Sequence, residues 1–249
     1  YATSLAANAR IVMEISELQL PSIVSSVDVG VYTNITVDHL DRHGTMDAYA
    51  NAKARIFNGQ GTQVLNRDDA RCLAMAQPGR EVWTFGLDAP RRACDFGLIA
   101  DNDDTFLAQG THRLMRLSEL PLAGLHNAAN ALAALGLCRA FGLDYEPLVS
   151  SLRNFRGLPH RVELVDTIDG VRYYDDSKGT NVGATIAALR GLGGRLGKSV
   201  LIAGGEGKGQ DFTPLADVVQ QHARAVVLIG RDAKQIEGVL AGVGVKLCP

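Results

Sequence analysis

Between residues 33 and 57 the chain gathers Asp38, His39, Asp41, His43 and Lys53. Carboxylates, imidazoles and an amine in so short a span can carry charge, move protons or hold a cation, and residue type alone leaves that choice open. Lys53 is the anomaly. Tyr49, Ile56 and Phe57 fall at i, i+7 and i+8, the inward stripe of a helix, and Lys53 stands at i+4 of that stripe. Its stem could run along the core with the amine in water, or the amine could pair with an acid. Glu14 is a second oddity, inside the apolar run 11–16. A buried carboxylate is costly unless partnered, so Glu14 belongs at a solvated strand tip or serves as a metal ligand. Two further clusters, DDSKGTN at 175–181 and GGEGKG at 204–209, each follow an apolar run. Small residues in such turns can answer to backbone geometry alone.

Local signals predict the elements that must hold these groups. The run 29–37 reads as a strand feeding a loop at 38–44. Thr45 then caps a helix that runs to about residue 57, with Asp47 in the first turn where negative charge suits the helix dipole. Residues 11–16 read as a buried strand. Strands at 63–66 and 81–85 flank a helix at 68–76, and 96–100, 105–108 and 112–117 read as a β-meander with His112 on the surface. A long Ala/Leu helix opens near 125 and ends near 141. Asn127 and Asn130 share one of its faces, and amides there are often plain caps. Glycine and proline punctuate 155–161, which sets a boundary between a domain at 1–157 and another at 158–249. Beyond it strands at 162–168, 171–174, 199–203 and 225–229 alternate with helices at 182–192, 214–222 and 233–240. That alternation predicts a doubly wound, Rossmann-like α/β domain with ligands at the C-terminal ends of its strands.

Composition narrows the function. Hydrophobic residues make up 46% and charged residues 21%, and the net charge is −2 with basic residues scattered. This argues against a nucleic-acid or membrane-surface role. The first residues lack the basic and apolar segments of a signal peptide. Cys72, Cys94, Cys138 and Cys248 are far apart and form no C-x-x-C, which reads as reduced thiols in a cytoplasmic protein.

The run N-x-x-x-D-H-L-D-x-H-G-x-M-x-x-Y-x-x-A-K, from Asn34 to Lys53, resembles the central domain of the Mur ligases. These are ATP-dependent amino-acid ligases of peptidoglycan synthesis, and folylpolyglutamate synthases share a looser version of the run. The resemblance implies a central ATPase-type α/β domain and a magnesium site that includes His39 and a carbamylated, hence anionic, Lys53. MEISELQL at 13–20 resembles the family's LELSSFQL, which makes Glu14 a magnesium ligand and Ser16 a substrate contact, with Glu17 in place of the usual serine. GLHNAANALAA at 124–134 resembles a motif whose asparagine reads adenine, with Asn130 the first match and Asn127 the second. GLPHR at 157–161 resembles the family hinge and assigns Arg161 to the nucleotide. GLPHR and DDSKGTN both match the D-glutamate-adding branch. By that resemblance Asp176 binds ribose, Lys178 faces phosphate and substrate charges, and Thr180 and Lys208 hold the D-glutamate carboxylate. Glu206 replaces the aspartate of that branch's GGDGK. The implied substrates are ATP, UDP-N-acetylmuramoyl-L-alanine and D-glutamate, and the implied assembly is a monomer.

GGRLGKS at 193–199 imitates a P-loop but fails it. Position 192 is Leu where the first glycine is required, and the segment follows a helix and opens a strand. The family's P-loop, its N-terminal domain and its C-terminal tail have no match here. The chain therefore reads as an internal fragment, inactive on its own. Two alternatives remain at this level: a ligase adding a different amino acid, and a non-catalytic nucleotide-binding module.

Overall fold

Six strands form one sheet in chain order. Strands β1 (Val29–Tyr32), β2 (Thr62–Asn66), β3 (Val82–Phe85) and β4 (Phe96–Asp101) run parallel, and β5 (Asp104–Gln109) and β6 (His112–Arg116) return as the expected antiparallel meander. The structure, a computed structural model, describes residues 11–16, 19–22, 26–35, 40–122, 124–193, 197–207 and 209–248. Alternation along β2 builds two cores, because successive side chains point to opposite faces. Val64 joins Phe85, Phe96 and Leu132 on one face, and Leu65 joins Tyr32, Tyr49, Phe57 and Cys72 on the other.

Helix α4 (Leu125–Ala140) lies across β1 to β4 on the Val64 face. Helix α2 (Met46–Ala54) serves the opposite face through Tyr49, and a 3-10 turn (Arg55–Phe57) extends it as the periodicity predicts. Helix α5 (Tyr145–Asn154) follows α4 and buries Val149 against the first core. Two expectations shrink. The loop at 38–44 contains a single helical turn, α1 (Leu40–His43), and the helix at 68–76 is reduced to α3 (Ala70–Leu73). One fails: residues 11–16 form no strand, and Ile11, Val12 and Met13 are exposed. Apolar character supplies strand propensity, but a strand needs a neighbour's donors and acceptors, and β1 pairs only with β2 among the described residues.

After residue 157 the sheets are separate from the first. Among the described residues strands β7 (Glu163–Ile168) and β8 (Val171–Asp175) pair only with each other, as an antiparallel hairpin. Its two-residue turn is Asp169-Gly170, with φ of 51° and 78°. Both values lie in the left-handed region that Asp-Gly hairpin turns require. Strands β9 (Ser199–Gly204), β10 (Ala223–Ile229) and β11 (Lys246–Cys248) form a parallel sheet in the order β11-β10-β9. Helices α6 (Val182–Leu192), α7 (Leu215–His222) and α8 (Ala233–Leu240) bury Leu189, Val218, Val219 and Ile236 against Val226 and Leu228. Each crossover steps the same way, so α7 and α8 fall on one face of this sheet. Val200 and Ile202 point away from that cluster and are exposed, as are Leu164, Val165, Ile168, Val171 and Tyr173 of the hairpin.

Candidate active site

Helix α2 starts where its cap dictates. Thr45 Oγ1 accepts the Ala48 amide at 3.1 Å, and Asp47 stands in the first turn. Lys53 is in the last turn and half-buried. Its Nζ lies 4.9 Å from the centroid of the Tyr49 ring and 5.3 Å from that of Tyr32. Two aromatic faces at that range attract a cation. An ammonium repels a divalent cation, so the donor set Glu14, His39 and Lys53 fits magnesium only with Lys53 converted to its carbamate. Glu14 lies in exposed coil, and His39 lies outside the described residues. Ser16 is also exposed, and its amide donates to Gln19 Oε1 at 3.0 Å.

Asp69 is a buttress that the sequence reading passed over. Its carboxylate caps α3 by accepting the Arg71 and Cys72 amides, and it also accepts the Ile35 amide at 2.7 Å. It thereby ties the exit of β1, which leads into the His39 segment, to the start of α3. Burial pushes the neighbouring Cys72 thiol up to about 12, with Asp69 adding to the rise, so that thiol stays protonated. All four cysteines are free, as their spacing predicts.

Three segments meet at the start of α4. Gly124 caps the helix in a left-handed conformation, φ 102°, with no side-chain cap, so neither Asn127 nor Asn130 serves as the N-cap. Asn130 is exposed and Asn127 partly buried. The second segment is the 158–163 loop with Arg161, and the third is the turn after β8 with Asp176. Asp176 is partly buried and accepts the Val162 amide at 3.1 Å. Burial raises its pKa above the ordinary carboxylate value, against the pull of that amide, Arg161 and His126. His126 in turn is held below its ordinary value by burial, with Asp176 opposing. Arg161, His126 and Asp176 are thus electrostatic neighbours.

The 158–163 loop is closely tied to the turn after β8. The Lys178 amide donates to the His160 carbonyl at 3.1 Å, and His160 Nδ1 lies 2.7 Å from Asp175 Oδ2. Glu163 accepts the His160 amide at 2.8 Å. His160 and Val162 both have positive φ, 64° and 48°. That is uncommon for any residue other than glycine and a strained outlier for β-branched valine. Among the described residues His160, Glu163 and Asp175 are the one trio of metal-capable side chains in close reach, and their mutual hydrogen bonds account for the grouping.

Lys178 and Thr180 are exposed, and Lys208 lies outside the described residues. Gln210 joins their two loops, accepting the Val182 amide at 3.0 Å and donating to the Thr180 carbonyl at 3.3 Å. Nothing in the sequence reading singled it out, because a lone glutamine in a turn carries no local signal. Asn181 caps α6 by accepting the Ala184 amide. The glycines of 204–209 answer at least in part to geometry, since a Cβ at Gly204 would lie 1.7 Å from the Ile229 carbonyl oxygen.

The chain is similar to known proteins over most of its length. Residues 4–138 match the family model for the Mur ligase middle domain, and residues 160–247 match that for the Mur ligase, glutamate ligase domain. The UDP-N-acetylmuramoylalanine--D-glutamate ligase of Methylobacillus flagellatus is 56% identical over 95% of this chain and 52% of its own length. Its namesake in Thiobacillus denitrificans is 57% identical over 94% and 48%. In solved structures, MurF from Acinetobacter baumannii superposes with a TM-score of 0.68 at 22% identity, over 88% of this chain and 49% of its own. A pseudomurein peptide ligase type C from Methanothermus fervidus gives 0.69 at 16%, over 89% and 52%. The chain spans about half the length of the curated relatives it matches.

Proposed function

The chain belongs to the Mur ligase family, and from that membership we propose that it forms the nucleotide- and amino-acid-handling part of a D-glutamate-adding ligase. The reaction joins D-glutamate to UDP-N-acetylmuramoyl-L-alanine in peptidoglycan precursor synthesis, at the cost of ATP. Identity above 50% to ligases of that name supports the choice of amino acid, as do GLPHR and DDSKGTN. The single observation that carries the site is the meeting of the α4 start, Arg161 and Asp176.

In this reading the chain divides between residues 157 and 158, with nucleotide bound where the two parts meet. Asn130, with Asn127 beside it, reads adenine. Asp176 takes the ribose hydroxyls, and Arg161 supplies positive charge to the nucleotide. The substrate carboxylate attacks the γ-phosphorus, the bond to ADP breaks, and an acyl phosphate forms. The amine of D-glutamate then attacks the acyl carbon and loses a proton as phosphate leaves. Positioning and charge neutralisation are the protein's part in the first step. Lys178 offsets phosphate charge, Thr180 and Lys208 hold the incoming carboxylate, and Ser16 contacts substrate. Glu14, His39 and a carbamylated Lys53 are the proposed holders of magnesium, which would neutralise phosphate charge when bound. Among the described residues no helix is long and apolar enough to cross a membrane. A cytoplasmic monomer completes the reading. The test is phosphate release by the enzyme of full family length, with ATP, UDP-N-acetylmuramoyl-L-alanine and a panel of amino acids. Release that depends on D-glutamate is expected, and release with a different amino acid alone would refute the assignment.

A further inference from the structure

Where α4 meets α6, two glycines close around the imidazole of His126. A Cβ at Gly191 would lie 2.5 Å from His126 Cε1, and one at Gly124 would lie 2.8 Å from the same atom. The two backbones are themselves close, since a Cβ at Gly124 would stand 3.4 Å from the Gly191 Cα. Gly124 is required by its own left-handed backbone. Gly191 has no such reason. It sits in the last turn of α6, and the space taken by the imidazole accounts for it. The ring is also an electrostatic neighbour of Asp176.

We propose that His126 is a positioning residue: wedged between Gly124 and Gly191, its ring fixes the spacing between the amides of α4 and the carboxylate of Asp176. The two ends of one nucleotide are thereby held in register by two different parts of the chain. This rests on the reading of Asn130 and Asp176 as nucleotide contacts. His126 shares the first turns of α4 with Asn127 and Asn130, and Asp176 precedes the cap of α6 by a tight turn. His126 meets α6 at Gly191, next to the last residue of the helix, and Asp176 lies before its first, so the wedge acts on Asp176 through the length of α6. The ring touches no reacting atom in this account, and its effect falls on ATP binding.

The test uses the full-length enzyme in a double-mutant cycle. Gly191→Ala, with His126 present, drives a methyl group into the ring and is expected to raise KM for ATP about tenfold, with kcat changed less. In a His126→Ala background the same Gly191→Ala change has room and is expected to leave KM where His126→Ala alone put it. His126→Gln, which refills the notch, is expected to recover part of the loss. A helix effect alone would not give this pattern, because Gly191→Ala improves helix propensity in either background. A second readout is independent of nucleotide: the distance between spin labels at exposed Ser151 on α5 and Glu237 on α8. It should shift or broaden in Gly191→Ala and in His126→Ala. Equal KM effects in both backgrounds with an unchanged label distance overturn the wedge. Asp176→Asn separates the underlying reading, since unchanged KM for ATP in that variant overturns the nucleotide assignment whatever the labels show.

Discussion

The backbone amide of Val162 donates to the carboxylate of Asp176 at 3.1 Å, and by that bond a strained loop is moored to the residue assigned to ribose. The same carboxylate is partly desolvated, which disfavours its charge. Its two duties separate by substitution. Asp176→Asn keeps an acceptor for Val162 and removes the desolvated charge, so thermal stability at neutral pH should hold or rise slightly. KM for ATP should rise. Asp176→Ala loses the acceptor as well and should cost about 1 kcal/mol of stability, read as a lower melting temperature. Equal stability loss in the two variants would contradict the mooring role.

Two rings stand against the Lys53 amine, yet the proposed chemistry needs it as an anionic carbamate. Lys53→Arg separates the two. An arginine keeps the cation–π contact and cannot be carbamylated. If the carbamate is needed, Lys53→Arg and Lys53→Ala should be equally inactive in phosphate release, and acetate should restore part of the activity to Lys53→Ala. Substantial activity in Lys53→Arg would end the carbamate idea.

His160 and Asp175 make a pH prediction. The hydrogen bond from His160, with help from the Ser177 amide, holds the Asp175 carboxyl down at about 2. A depressed folded-state value contributes stability that is present above the unfolded carboxylate value, and it is lost as pH falls from about 4 towards 2. His160→Ala should return the Asp175 titration towards 3.8, its ordinary value, as read by NMR of the carboxyl carbon. An unmoved midpoint would show that the contact is not formed in solution.

Asp69 accepts three amides, so Asp69→Ala should destabilise the protein by about 2 kcal/mol, more than loss of a single helix cap. Asp69→Asn should recover about half. Chemical denaturation with unchanged slope measures both, and a cost below that of Thr45→Ala would argue against the link to Ile35.

The elements written locally were the ones the sequence disclosed. Thr45 announced α2, the alternation after residue 180 announced α6 to α8 with β9 and β10, and the meander was legible from its short runs. Pairing was less legible. The apolar run 11–16 has strand composition but no neighbour among the described residues, and the Asp169-Gly170 signal for a hairpin went unread. Motif spacing singled out Asp176 and Arg161, which the fold makes electrostatic neighbours. It could not find His126, Asp69 or Gln210, whose importance lies in which distant amide or glycine they meet. Two lone glycines at 124 and 191 carry no hint of each other until the chain is folded.

Among the described residues the β9–β10–β11 sheet has its helices on one side only, and Val200 and Ile202 on the other side are open to water beside a β9 edge that pairs with no further strand. The exposed Leu164, Val165, Ile168, Val171 and Tyr173 of the β7–β8 hairpin add to the same problem. Sticky faces and free strand edges are what drive proteins together in a tube. A sedimentation or light-scattering experiment on this chain by itself will therefore report self-association through that face. The number of subunits so obtained is a property of those exposed faces.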